Sequence, residues 1–453
     1  MSGRFWALVP AGALAGSAWL WGGNSLVGPA LSIGLALLVA IGRTALQRFL
    51  IAAAYYHTGS WPIVGAVTGY WGRSHAGIAL GAWIGASILL ALPWSLPPRR
   101  GGPLLALALT ALPPLGVIGW ISPWNAAGVL FPAWGWGGVL GISAAVAALP
   151  AAMRGSRSAQ GILASVLAVS ACANIVAAAS PPPHAPRGWV GVQTRIPPDR
   201  GNVLVEIRNS QALVADGLRQ GAGARVVVFP ESVLPDWYAG TRAQFAAAVP
   251  PRQIWLLGAQ TATRDAIVRA DPGDADPVPV ATAAGLLLGG DWLPWKSVSL
   301  RPAWWQRVYY IDGLRVWSSL CIEQLQPWTW LEAMAQRPEL ILAQSNAWWA
   351  DESNAGPAIQ RASTRSWARL MALPVVWAGN RLFSEDAHAA DGGQLVARAG
   401  EVLGVGADAG ISKVHGGVSL CRRNDRVGGG TVKSRSNSAA GTGCPSAGFA
   451  PSG

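Results

Sequence analysis

The stretch Val226-Val-Val-Phe-Pro-Glu-Ser-Val-Leu-Pro235 decides the fold of the second half of the chain. Its opening run is short, continuous and apolar, as expected of a strand that is buried on both faces in an α/β protein. Glu231 follows directly, where the strand ends of an open α/β sheet expose side chains to a crevice. The sequence therefore predicts an α/β domain with a candidate functional carboxylate. Taken alone, Glu231 is more simply interpreted as an ordinary loop carboxylate or a helix cap.

A second apolar strand ends in a reactive side chain, in Val316-Trp-Ser-Ser-Leu-Cys-Ile-Glu323. A thiol at such a turn is lifted towards the crevice, and its thiolate form is a strong nucleophile. We therefore take Cys321 as a candidate nucleophile and Glu323 as a candidate supporting residue. The alternatives are a small buried cysteine and a solvated carboxylate.

Lys296, in Trp292-Leu-Pro-Trp-Lys-Ser297, is the only lysine before residue 413. The chain otherwise uses arginine as its cation. An ammonium is a compact point charge that a planar guanidinium does not reproduce. Lys296 is therefore a candidate functional cation. The alternative is that the lysine was retained at this position by chance.

Strand-like and helix-like stretches alternate from residue 189 onward. The predicted strands are 189–193, 225–229, 254–259, 282–288, 306–311, 314–320, 339–344 and 374–379, and the predicted helices are 202–220, 241–248, 327–336 and 357–372. This alternation predicts a layered α/β domain over 189–400. The Gly/Ser-rich, basic composition that follows predicts a disordered or aberrant tail over 401–453.

The first 180 residues are a series of apolar stretches, followed by a Pro-rich linker at 181–188. They predict a transmembrane domain of six or seven helices, because each stretch approaches the length that crosses a bilayer. In the seven-span version the helices are 5–21, 26–42, 49–71, 76–94, 103–121, 128–149 and 160–179.

Arginine placement predicts the orientation of these spans. Seven arginines fall on one side of the seven-span arrangement: Arg4, Arg43, Arg48, Arg99, Arg100, Arg154 and Arg157. By the positive-inside rule that side is cytoplasmic, which predicts a multi-pass protein of the inner membrane with its α/β domain in the periplasm. A count of six spans would reverse the side on which the domain lies.

The composition favours a membrane and excludes several classes of function. The chain is 51% apolar and 12% charged, with a mean hydropathy of +0.32 and 25 tryptophans. Its net charge of +12 is spread without a Lys/Arg run, so no direct nucleic-acid partner is expected. The four cysteines form no CxxC pair, so neither a metal nor a cofactor is expected. The absence of acidic residues from the spans argues against a coupled transporter.

Glu231, Lys296 and Cys321 occur in the order and contexts of the catalytic triad of the nitrilase superfamily of carbon–nitrogen hydrolases, which the chain resembles. The segments 229–235 and 321–323 are most similar to the bacterial apolipoprotein N-acyltransferases. The segment Gln344-Ser-Asn-Ala-Trp-Trp-Ala-Asp351, which contains Asn346, is similar to another segment of that family. The resemblance implies a membrane α-helical bundle followed by an α/β domain that is a nitrilase-like α-β-β-α sandwich.

A further segment, Trp120-Ile-Ser-Pro-Trp-Asn-Ala-Ala-Gly-Val-Leu-Phe-Pro-Ala-Trp-Gly-Trp136, resembles the corresponding stretch of the plasmid-associated conjugal transfer proteins called TraB. This resemblance implies a role in conjugal plasmid transfer. The implied partners are the lipid bilayer, a phospholipid or other acylated substrate, and other conjugal transfer proteins. The interval between Lys296 and Cys321 is short for the lipoprotein acyltransferases and holds no Glu, which weakens the case for lipoprotein acylation.

The resemblance also implies a mechanism. Glu231 would be the general base for the Cys321 thiol, and Lys296 would stabilise the oxyanion. A thioester would form, to be resolved by water in an amidase or by an amine in an N-acyltransferase, with Glu323 and Asn346 as supporting residues. Three functions stay open: a carbon–nitrogen hydrolase-like enzyme, an apolipoprotein N-acyltransferase, and a catalytically silent membrane component of the conjugation apparatus.

Overall fold

The structure, a computed structural model, describes residues 3–21, 26–98, 101–198 and 201–382. All of these residues belong to one compact unit. The end of the predicted α/β domain and the predicted tail at 401–453 lie outside the described residues.

The amino-terminal half of the described chain is helical. Its helices are α1 (Gly3–Ser17), α2 (Val27–Leu31), α3 (Ile33–Ile41), α4 (Ala45–Gly59), α5 (Pro62–Trp71), α6 (Ala76–Ala91), α7 (Gly102–Ala111), α8 (Ala126–Leu130), α9 (Trp136–Ala152) and α10 (Arg157–Ala179). Local sequence sets several of these ends. Thr44 and Gln47 form a capping box at the start of α4, and Pro62 opens α5, where its missing N–H is not needed.

Among the described residues, two helical stretches are long and apolar enough to cross a membrane. They are Arg73–Ser95, which contains α6, and Arg157–Ala179, which is α10. The other predicted spans correspond to shorter or interrupted helices, because turns and prolines divide the apolar runs. The run predicted at 49–71, for example, is split between α4 and α5 at Ser60 and Trp61.

Strands and helices alternate in the second half. The strands are β1 (Trp189–Gly191), β2 (Gln193–Thr194), β3 (Val226–Val228), β4 (Ile254–Gln260), β5 (Asp265–Asp271), β6 (Asp274–Ala275), β7 (Ala281–Thr282), β8 (Tyr309–Ile311), β9 (Leu314–Leu320), β10 (Leu340–Asn346) and β11 (Val375–Asn380). The helices are α11 (Val203–Gln220), α12 (Ala239–Ala248), α13 (Pro327–Gln336) and α14 (Gly356–Met371).

The strands form two mixed sheets. Sheet A has the order β1-β3-β4-β5-β6, with β7 also paired to β5, and sheet B has the order β2-β11-β10-β9-β8. The pairs β1/β3 and β3/β4 in sheet A, and β9/β10, β10/β11 and β11/β2 in sheet B, are parallel. The pairs β4/β5 in sheet A and β8/β9 in sheet B are antiparallel. Sheet A therefore contains three consecutive parallel strands and sheet B four, as is typical of an α/β protein.

The two sheets pack face to face, with helices on both outer sides. Val226 and Val228 of β3 share a buried core with Val316 of β9 and Leu342 of β10. Between them, Val227 points to the opposite face of sheet A, into a core that includes residues of α11 and α12. Helices α13 and α14 cover the outer face of sheet B. The order of layers is helix, sheet, sheet, helix, which confirms the predicted mixed α/β class.

The helical half packs directly on the helix layer of sheet B. One core combines Phe131 and Ile121 from the first half with Trp330 and Trp367 of α13 and α14. Hydrogen bonds cross the same boundary: Gln326 Nε2 donates to the Val117 carbonyl at 2.8 Å, and Ser363 Oγ donates to Asn125 Oδ1 at 2.9 Å. The two halves therefore share their interior.

The strand predictions were wrong at two places. Strand β5 was missed, because the charged residues Asp265, Arg269 and Asp271 interrupt its apolar pattern. The apolar run predicted as a strand at 282–288 forms only the end of β7. Beyond β7, the Ala284 and Gly285 N–H groups donate to the Glu323 carboxylate instead of to a neighbouring strand.

Candidate active site

The candidate site lies where parallel strands of both sheets end. Glu231 follows β3 of sheet A, Cys321 follows β9 of sheet B, and Asn346 ends β10. Beside them, Gln344 Nε2 donates to the Phe229 carbonyl at 2.8 Å and ties the two sheets together. Residues that are far apart in the sequence therefore meet at one edge of the sandwich.

Cys321 occupies a strained position at the start of a 3₁₀ turn. Its φ of +30° lies in a region that L residues rarely adopt, and such strain is concentrated at functional sites. The Asn346 N–H donates to the sulfur, as does Gln360 Nε2 at 3.5 Å. Burial raises the pKa of the Cys321 thiol, while these donors and Glu231 lower it. The resting group is consequently a thiol that needs a base.

Glu231 is buried and its side chain interacts with Cys321. Burial is the main cause that raises the pKa of Glu231 well above its ordinary value, and the neighbouring Cys321 and Asp265 add to it. A carboxylate with a raised pKa is a stronger base and is better matched to a thiol proton. The structure thus brings together two members of the predicted triad.

Lys296 is not part of this contact. It lies in the segment between β7 and β8, its side chain is exposed, and its backbone N–H donates to the Leu293 carbonyl at 2.9 Å. It is not among the principal interactions of Cys321 or Glu231, whose charged neighbours are acidic.

Glu323 supports the nucleophile turn through the backbone. It is fully buried and accepts hydrogen bonds from the N–H groups of Leu320 at 2.8 Å, Ala284 at 2.6 Å and Gly285 at 3.1 Å. Burial raises the pKa of Glu323 to about 8, and these three donors act in the opposite direction. Glu323 therefore connects the turn after β9 to the 284–285 segment through hydrogen bonds to the backbone.

Asn346 holds the Glu231 loop in place. Its Nδ2 donates to the Ser232 carbonyl at 3.2 Å, and its Oδ1 accepts from Asn380 Nδ2 at 2.7 Å. Together with the backbone contact to Cys321, these bonds connect both reactive residues to β10 and β11.

Two further carboxyl groups, which the sequence did not indicate, face the same site. Asp265, the first residue of β5, accepts a hydrogen bond from Ser232 Oγ at 2.7 Å, and burial raises its pKa to about 6. Asp291 accepts from the Tyr70 hydroxyl of α5 at 3.2 Å, and burial raises its pKa as well. Recognition of the period-2 alternation in Asp265–Asp271 would have placed Asp265 at a strand end.

A groove of about 330 Å³ lies beside Tyr70, whose ring contacts Trp348 at 5.2 Å. Its walls come from α5 and the following turn on one side and from the segment after β10 on the other. Arg73 contributes a cation and Asp351 a carboxylate to its lining. In the part of the chain that the structure describes, no group of three or more His, Cys, Asp or Glu side chains could hold a metal ion.

The fold and the site define an α/β protein with a thiol–carboxyl centre, joined to an apolar helical region. Comparisons with known proteins place it more narrowly. It is 28% identical over 380 residues to a probable conjugal transfer protein TraB of Sinorhizobium fredii, covering 80% of this chain and 94% of that protein. It is 32% identical over 314 residues to the conjugal transfer protein TraB of Agrobacterium fabrum, covering 64% of this chain and 68% of that protein. The chain belongs to the TraB family of conjugal transfer proteins.

Two other comparisons add little. No family model matches the chain. Among solved structures, a mutant of a Nesterenkonia amidase from the nitrilase superfamily is 17% identical, covers 37% of this chain and 69% of that protein, and gives a TM-score of 0.23. At that score the likeness does not define the fold.

Proposed function

We propose that this protein is a membrane-anchored, carbon–nitrogen hydrolase-like enzyme that cleaves or transfers an acyl group through a thioester on Cys321, in the service of conjugal plasmid transfer. The observation that carries the proposal is the contact between Glu231 and Cys321, which follow parallel strands of the two sheets at the same end of the sandwich. The helix–sheet–sheet–helix layering supports a nitrilase-like sandwich, and the names of the TraB relatives support the role in conjugation.

In the proposed reaction Glu231 takes the proton of the Cys321 thiol as the sulfur attacks the acyl carbon. The carbon–sulfur bond forms, the bond to the leaving amine or alcohol breaks, and Glu231 returns the proton to that leaving group. Water or an acceptor amine then attacks the thioester and releases the thiol. The Asn346 N–H and Gln360 Nε2 stabilise the sulfur while it carries charge.

Lys296 stays in the proposal as the donor to the oxyanion. Because its ammonium is exposed, this role requires the segment between β7 and β8 to carry it to Cys321 when substrate binds. The acyl donor in this scheme is a phospholipid or another acylated substrate. Lipoprotein acylation is a narrower version that the short interval between Lys296 and Cys321 disfavours.

The helical half supplies the membrane anchor in this proposal. Helix α10 is 23 residues long and exposes Leu167, Ile175 and Val176 on its surface. The first 180 residues contain eight arginines and no acidic residue. We place the protein in the inner membrane as a multi-pass protein, with its α/β domain in the periplasm.

Acylation of the protein tests the chemistry. Detergent-purified protein is mixed with p-nitrophenyl esters of short and long acyl chains, and the Cys321 peptide is analysed by mass spectrometry. We expect an acyl adduct on Cys321 that forms at least about a hundredfold more slowly in E231Q, because a general base contributes at least that much. Exposed Cys172 is the internal control for nonspecific acylation. Equal acylation of Cys172 and Cys321, insensitive to E231Q, would reject the enzyme.

A silent membrane component is the second candidate, because the exposed position of Lys296 leaves the described site without its predicted cation. Plasmid transfer from donor cells that carry C321A, E231Q or K296A distinguishes the two. If the protein acts as an enzyme, plasmid transfer falls in C321A and E231Q donors that contain normal amounts of the protein. Undiminished transfer by all three variants would instead establish the silent component.

A further inference from the structure

We infer that Asp265 is a positioning residue for the base of the site: it holds Glu231 in a hydrogen-bonded carboxyl pair that shares one proton. The inference deepens the proposed function and rests on it, because it gives Asp265 a part in moving the proton of Cys321. Its two members come from neighbouring segments of sheet A: Glu231 follows β3, and Asp265 is the first residue of β5.

Strand β4 explains why the two carboxyl groups meet. The Glu231 segment runs against β4 so closely that a Cβ on Gly258 would lie 2.5 Å from the Glu231 Cα. The next residues of β4 lead into the antiparallel turn to β5, where Gln260 pairs with Asp265. Both carboxyl groups are therefore carried to the same end of β4, and both are buried, with Asp265 only 4% exposed.

The hydrogen bonds around Asp265 indicate where the proton lies. Ser232 Oγ donates to Asp265 Oδ1 at 2.7 Å, and Gln260 Nε2 donates to that hydroxyl oxygen at 3.3 Å, so the serine hydrogen points to the carboxylate. The Ala266 N–H also donates to Asp265. The carboxyl groups of Glu231 and Asp265 are also hydrogen-bonded to each other. A hydrogen bond between two carboxyl groups requires a proton on one of them. Because Asp265 has the other donors, the proton belongs to Glu231.

The other groups that face the pair do not neutralise its charge. The titratable neighbours of Glu231 are Cys321, Asp265 and Asp291, and the Tyr70 hydroxyl lies behind Asp291. None of these is a cation. One proton shared between two buried carboxyl groups is the arrangement that limits the buried negative charge to one.

The pair gives the thiol proton a route. When the Cys321 S–H bond breaks, a new O–H bond forms on one oxygen of Glu231, and the proton already on Glu231 passes to Asp265. Both carboxyl groups are then neutral and the sulfur carries the negative charge. The steps reverse when the leaving group takes its proton. The two carboxyl groups titrate as a unit, so the pair accepts this proton only above the pH at which it binds a second one.

The test measures the alkylation of Cys321 by iodoacetamide as a function of pH. Full-length protein with Cys172, Cys421 and Cys444 replaced by serine leaves Cys321 as the reporter, and mass spectrometry follows the rate. We expect the wild-type rate to fall below a pH of about 6, where Asp265 takes the second proton. In D265N the pair is gone, and Glu231 must lose its own proton before it can act as the base. Because burial raises the pKa of Glu231 well above its ordinary value, the inflection moves to higher pH.

Two further variants separate positioning from loss of structure. D291N removes a nearby charge that raises the pKa of both Glu231 and Asp265 but leaves the shared proton in place, so we expect its inflection to move slightly to lower pH, opposite in direction to that of D265N. E231Q removes the pair from the other side and abolishes the inflection. A merely structural role for Asp265 would lower the rate at every pH and leave the inflection in place, and that result in D265N overturns the inference.

This experiment needs no acyl substrate, so its failure is distinct from that of the proposed function. An inflection that moves in D265N, in a protein that forms no acyl adduct, keeps the carboxyl pair and rejects the acyl chemistry. An acyl adduct together with an unmoved inflection keeps the enzyme and rejects the role of Asp265.

Discussion

The two halves of the chain place charged and apolar side chains in opposite ways. In the helical half, which has no acidic residue, large apolar side chains such as Leu167 of α10 lie exposed. In the α/β half, apolar side chains fill the space between and beside the sheets, while the carboxyl groups of Glu231, Asp265 and Glu323 are buried. Under the membrane anchoring proposed above, the two halves meet different solvents, because exposed apolar surface is favourable in lipid and a buried carboxyl group is tolerated only where hydrogen bonds compensate.

The largest effect is expected when the same charge replaces an exposed leucine in each half of the chain. Leu167→Lys, near the middle of α10, should cost about 3 kcal/mol of membrane insertion. Leu218→Lys, on the exposed face of α11, should change stability by no more than about 0.5 kcal/mol. Alkaline extraction of membranes measures the fraction retained. Equal retention of the two variants would mean that α10 faces water.

A second effect concerns the buried acids of the α/β half. Because the folded pKa of Asp265 is raised to about 6, this group stabilises the fold below its ordinary pKa, and that contribution is lost as the pH rises through about 6. The loss is on the order of 2 kcal/mol. Thermal unfolding in detergent between pH values of about 4 and 7 should show a steeper fall for the wild type than for D265N. Parallel curves would contradict the raised pKa.

A third effect concerns the close packing at the boundary between the two halves. Gly128 of α8 lies against the Ser366 backbone of α14 without room for a Cβ, so Gly128→Ala should cost about 2 kcal/mol. Gly161 of α10 has nothing within 4 Å of such a Cβ, and Gly161→Ala should be neutral or stabilising. Melting temperatures of the two variants measure the difference. Similar values would show that the halves do not depend on this close approach.

The smallest effect is expected at a polar contact between α5 and the site. Tyr70→Phe removes the hydrogen bond to Asp291 and should cost about 1 kcal/mol. The loss of this donor should also raise the pKa of Asp291 further. Tyr310→Phe, at an exposed tyrosine, is the matched control for removal of a hydroxyl. If both variants unfold at the same temperature, the contact contributes nothing to stability.

The sequence predicted the parts of the fold that depend on local pattern. The apolar strand before Glu231 and the strand that ends at Cys321 are where the pattern placed them, because continuous apolar runs bounded by turns form buried strands. It missed β5, since its charged residues hide the alternation, and it missed Asp265 for the same reason. Asp291 and Tyr70 could not have been paired, because they lie 221 residues apart and meet only when the two halves pack.

Helix α14 packs against sheet B on one side and against the helical half on the other, so both of these sides are covered by protein. A fragment that starts at Trp189 would keep every strand and still leave Trp367 and its neighbours without cover. An isolated α/β half should therefore need a detergent, or polar side chains on the outward face of α14, to stay soluble and folded.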